Sequence, residues 1–168
     1  AQVDKRNKEI NTATGYLNKI ELTFFPNTND SHEQILISND IRYFHPLTDS
    51  DNLAFRFYVA QNITDEEHIM FLQKAGSFTY MRGYKTNIFL NKFIGFGQFE
   101  WRKKIKSWYT LCPFIEFGTI GASINNQTRG LFSYGIGNYF PIGDASIRLE
   151  LGFAESNSAF YFGFNHVF

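Results

Sequence analysis

The chain has 168 residues, enough for one domain, and its 16 Lys+Arg balance 16 Asp+Glu. That balance excludes a global field that would draw in nucleic acid or steer an acidic ligand. Mean hydropathy is −0.27, and no window approaches the roughly 18 apolar residues of a membrane helix. Twenty Phe and nine Tyr still require a core, an interface or a membrane to receive them. Cys112 is the only cysteine, which excludes an internal disulfide and a paired-thiol metal site. No phosphate loop or metal cluster is visible, so no cofactor is expected.

Residues 1–13, AQVDKRNKEINTA, are polar and carry both charge signs. They read as a short periplasmic tail with no room for an accessory domain, and Ala1-Gln2 suits the product of leader cleavage. From about residue 14 onward, side chains alternate apolar and polar, as a strand with two different faces requires. The first strand, about Gly15 to Phe25, sets Tyr16, Ile20, Leu22 and Phe24 against Lys19, Glu21 and Thr23. The second, about Gln34 to Phe44, sets Ile35, Ile37, Ile41 and Tyr43 against Ser38, Asp40 and Arg42. The third, about Leu53 to Ile63, sets Leu53, Phe55, Phe57 and Val59 against Arg56 and Tyr58.

Residues 64–92 then lose the alternation, and a long irregular stretch in a compact domain is usually functional or disordered. The fourth strand, about Phe93 to Arg102, carries Gln98, Glu100 and Arg102 opposite Phe99 and Trp101. Lys103 to Ser107 reads as a basic turn. The fifth, about Trp108 to Ile120, carries Cys112, Phe114, Glu116 and Gly118 opposite Tyr109, Leu111, Ile115 and Phe117, with Pro113 weakening its ladder. Gly121 to Gly130 reads as a loop. Residues 131–168 form a three-stranded meander, with turns at Gly143-Asp144 and near Glu155 to Ser158.

About eight alternating strands predict an all-β fold, an antiparallel transmembrane barrel over 14–168 with apolar residues toward lipid and charges toward the lumen. Both termini would be periplasmic, and the 64–92 loop would be the longest on the outer side. Inward parity collects Lys19, Arg42, Arg56, Arg102 and Arg148 against Glu21, Asp40, Glu100, Glu116 and Glu150. An eight-stranded barrel leaves an interior that side chains just fill. Balanced charges there should pair, which predicts a plugged lumen rather than a diffusion pore.

The segment Phe71 to Tyr84, FLQKAGSFTYMRGY, resembles the loop that carries the (V/I)RG(F/Y) motif of the BamA/TamA bacterial surface antigen family. Phe114-Ile115-Glu116-Phe117-Gly118 is similar to the family's F-x-D-x-G strand motif, with Glu in place of Asp. Phe99-Glu100-Trp101-Arg102 is similar to the acidic strand before it, and residues 131–168 resemble the last three strands. The resemblance implies a C-terminal half barrel without POTRA repeats, in the bacterial outer membrane. It implies a loop folded inward whose Arg82 reaches acidic residues on the following strands, for which inward parity offers Glu116 and Glu100. Gly83 would then let the backbone turn tightly or pass close to the wall, and Tyr84 would stack against Phe114 or neighbouring aromatics. Gly118 belongs to the same lock. Phe168 resembles the terminal aromatic that serves as a barrel assembly signal.

The resulting expectation is a non-enzymatic outer-membrane barrel that assists membrane assembly or organises lipid. Its partners would be outer-membrane lipids, outer-membrane protein clients and a second copy, as two half barrels associating edge to edge or two small barrels side by side. Two other readings stand beside it. A lipid-modifying barrel enzyme would use His32 or His68 in outer loops, near Ser31, while His45 and His166 lie at periplasmic strand ends. A soluble lipocalin-like barrel would need an apolar cavity, which the inward charges oppose.

Overall fold

The computed structural model describes residues 1–8, 12–26, 33–63, 72–76, 80–85, 89–143, 145–155 and 157–165. Among them the chain is all-β. One antiparallel sheet holds nine strands in the order β1 (Gln2–Asp4), β2 (Gly15–Phe25), β3 (Gln34–Pro46), β4 (Asp51–Ile63), β7 (Phe93–Lys106), β8 (Tyr109–Ser123), β9 (Asn126–Ile142), β10 (Ala145–Ala154) and β11 (Asn157–Phe164). Between β4 and β7, the short β5 (Gln73–Ala75) and β6 (Phe89–Asn91) pair only with each other. Every neighbour in the large sheet follows in sequence apart from this excursion, so the whole fold is a meander. Its first and last strands do not pair with each other among the described residues.

Alternation produces two unlike faces. On the convex face Leu22, Phe57, Phe117, Phe132, Phe160 and Phe162 are each more than half exposed. On the concave face Arg56, Gln98, Glu100, Arg102, Glu116, Arg148 and Glu150 are buried. The sheet curls around its own loop. Tyr80 packs on Tyr58 of β4, Tyr84 bonds to Phe132 of β9, and Gly83 bonds to Tyr161 of β11. A small apolar cluster of Met81, Tyr84, Ile94, Phe96, Ile120 and Leu131 fills the space beside these contacts.

Several boundaries differ from the sequence reading. Residues 2–4, expected in a tail, form a strand on Leu17–Lys19, and the backbones of Ala1 and Ile20 bond to each other. Lys103 to Lys106 continue β7 instead of turning, with a register shift between Lys104 and Lys106. Gly121 to Gly130, expected as a loop, is mostly ladder: β8 and β9 run on to a two-residue turn at Ile124-Asn125. Register shifts around Gly121 and Ser123 break the parity there, and that parity was the only strand signal available. Residues 73–75 and 89–91, within the stretch read as irregular, are too short to show alternation. Pro113 stays inside β8 opposite Ile136.

Candidate functional site

Three of the described loop residues, Met81, Arg82 and Gly83, make an abrupt turn on the concave face. Met81 takes φ 61° and Gly83 φ 92°, both left-handed values that a side chain ordinarily resists. At Gly83 the reason is contact. A Cβ there would stand 2.8 Å from the backbone carbon of Phe153, and one on Gly152 would stand 2.7 Å from the Gly83 nitrogen. Loop backbone therefore lies directly on β10 backbone, and only paired glycines permit that approach.

The turn aims Arg82, fully buried, at three carboxylates from three strands. Its Nε donates to Glu116 Oε1 at 2.6 Å, and its backbone N–H donates to Glu116 Oε2 at 2.6 Å. Nη1 donates to Glu100 Oε1 and to Glu150 Oε1, both at 2.8 Å. The guanidinium carbon lies 3.5 Å from the centre of the Phe114 ring, a close cation–π contact. Glu116 also accepts from Gln98 Nε2 at 2.8 Å and from Ser133 Oγ at 3.1 Å. Glu100 accepts from Arg102 Nε at 2.9 Å, Tyr139 O–H donates to Glu150 at 2.8 Å, and Arg148 Nε lies 3.8 Å from the second Glu150 oxygen. Three arginines thus face three glutamates. This near-neutral set answers the desolvation cost of buried ions, provided no member is removed.

The neighbours of Arg82 are fixed in turn. Gly83 N–H donates to the Tyr161 hydroxyl at 2.8 Å, and that hydroxyl donates to the Tyr84 carbonyl at 3.1 Å. The Tyr84 hydroxyl lies 3.1 Å from the Phe132 carbonyl and 3.2 Å from its N–H. The sequence reading placed Tyr84 against Phe114 or neighbouring aromatics; the Phe114 ring is covered by Arg82, whose flat cation fits its face. Gly118 sits beneath the loop, where a Cβ would come 3.2 Å from Met81 Sδ and 2.9 Å from the Gly95 carbonyl.

The structure thus brings Arg82, Gly83, Tyr84, Glu100, Phe114, Glu116 and Gly118 into one locality. It adds Glu150, Arg148 and Arg102, which inward parity had marked without a partner, and Tyr139, Tyr161, Gln98, Ser133 and Gly152. Tyr139 shares parity with Ser133 and Gly137, so its inward direction was readable although its role was not. Phe168, His32, His68, His166 and Ser31 lie outside the described residues. His45 is exposed beside Tyr43, with ring centres 6.3 Å apart. Compared with known proteins, the chain matches no family model and no curated sequence.

Proposed function

We propose that this chain forms the wall of a transmembrane β-barrel in a bacterial outer membrane. It would work without covalent chemistry, as part of an apparatus that assembles or organises that membrane. The turns after β3, β7 and β9 would be periplasmic, and the loop around Arg82 would plug the interior.

One observation supports the reading above the others: the sheet is inverted in polarity. Its enclosed face buries paired arginines and glutamates, while its outer face leaves rows of Phe, Leu and Ile uncovered. Water is a poor solvent for such an exterior, and a bilayer is a good one. The inward Arg82-Gly83-Tyr84 turn adds to the resemblance with the assembly barrels, and in that role the buried arginine is a latch that holds the plug. Clients would be other outer-membrane proteins, and a second copy would complete the wall.

Reconstitution into phospholipid vesicles tests this. Spin labels at Phe57 and Phe162 should collide with oxygen dissolved in lipid and be shielded from a water-soluble nickel relaxant. Labels that meet the water-soluble relaxant freely would overturn the membrane reading.

A further inference from the structure

The convex side of β7 reads Gly95, Gly97, Phe99, Trp101 and Lys103 in alternate positions. Two absent side chains notch an otherwise bulky face. One hollow of about 350 Å³ lies among Phe57, Val59, Gly95, Thr119 and Ile124. A second, of about 430 Å³, lies among Ile41, Tyr43, Phe55, Phe99 and Ile115. Both are walled by Phe57, Gly97 and Phe117. The Phe117 ring leans over Gly97, 2.5 Å from where a Cβ would stand, and so divides the two hollows. Together they make an apolar track along the strand.

The same strand leads from the track to a basic, aromatic rim. The Lys103 ammonium lies 5.2 Å from the Trp101 ring centre, and that of Lys106, returned to this face by the register shift after Lys104, lies 5.5 Å from Trp108. Asp51 stands opposite Lys103 in register, and Asp49 is in the adjoining turn. No ion pair among the described residues engages either of these two lysines. From Gly95 to Lys103, eight residues at about 3.3 Å span roughly 26 Å of strand. A tilt of about 40° reduces this to roughly 20 Å across the membrane, close to one leaflet with its interface.

We propose that this strip binds an anionic phospholipid, one acyl chain lying in the track and the phosphate between Lys103 and Lys106. The site rests on the membrane reading above. A tail-and-head ligand is favoured because the apolar and cationic parts are separate and lie end to end. Trp at the junction suits the interfacial depth.

The full chain in vesicles is exposed to phosphatidylglycerol carrying a photoreactive diazirine in its acyl chain, or to phosphatidylcholine with the same chain. Adducts should concentrate on Phe57, Phe99 and Phe117 and favour the anionic lipid. Gly95→Leu, which fills one hollow, should shift the adducts away from Val59 and Thr119 and toward Phe99. Lys103→Gln and Lys106→Gln should each weaken retention of the anionic lipid about fivefold, the effect of one lysine at an anionic surface. Even labelling over the convex face, or equal labelling by the two lipids, overturns the site while leaving the membrane reading intact. A chain that fails to float with the vesicles overturns both.

Discussion

Arg82 makes four hydrogen bonds to three glutamates and has a ring beneath it. Deleting one member of a buried ion set strands its partners, at a cost of about 3–5 kcal/mol. Arg82→Ala and Glu116→Ala should therefore each lower unfolding stability by that order. The double variant should be little worse than either, because the second deletion removes a charge already stranded. Additive losses in denaturant titrations would mean that the two residues act separately. Gly83→Ala should also weaken the latch with all charges kept, since its Cβ would meet Phe153 backbone. Loss of the Tyr161 contact, read from tyrosine fluorescence, would report it. At this scale Arg82, Glu100 and Glu116 were legible as a motif plus strand parity. Glu150 and Tyr161 were not legible as partners, because they sit 68 and 79 positions along the chain and only the curl of the sheet brings them back.

The loop is fastened at a second point that owes nothing to Arg82. Arg56 donates to Asp40 twice, at 3.0 and 2.8 Å, which fixes its plane. The held cation then lies 5.3 to 5.5 Å from the ring centres of Tyr58, Phe96 and the loop's own Tyr80. Tyr80→Ala should release this end of the loop while leaving the glutamate cluster formed. Trypsin should then cut at Lys85 faster than in the unmodified protein, and slower than in the double variant Tyr80→Ala, Arg82→Ala. Equal rates in all three would show that neither contact restrains the segment. Among the elements, strands with ten or so alternating residues were legible from the sequence because each face has a uniform solvent. The β8–β9 hairpin was under-read where bulges reverse parity near Gly121. The β1 strand was missed because three exposed residues on an edge have no buried face to reveal them.

At the scale of the whole molecule, the balanced inward charges pointed to ion pairs on the concave face, and these form, whereas how the two edges of the sheet are covered was not written in any strand. In a bilayer the difference between faces should appear as opposite responses at adjacent positions. Leu149→Arg places a charge in lipid and should cost about 2–4 kcal/mol if it stands near mid-height. Arg148→Leu should act instead through Glu150 and the latch. Refolding titrations into vesicles separate the two: only the second should be relieved by also replacing Glu150 with Gln.

The edges set the last expectation. Among the described residues, β2 beyond Ile20 has a strand on one side only, and β11 has only β10. An uncovered row of N–H and C=O groups in hydrocarbon costs several kcal/mol for each group. In a membrane both rows must therefore be paired. A second copy offers each edge a strand of the right direction, since β2 of one chain and β11 of the other can run antiparallel. With Cys112 replaced by Ala, Thr23→Cys and Ala159→Cys place one thiol near the same end of each edge. Oxidation in vesicles should give a species of twice the mass on a non-reducing gel. A bond within one chain would mean that the sheet closes on itself. No bond of either kind would mean that the edges are covered by something other than each other, and the paired assembly would fall.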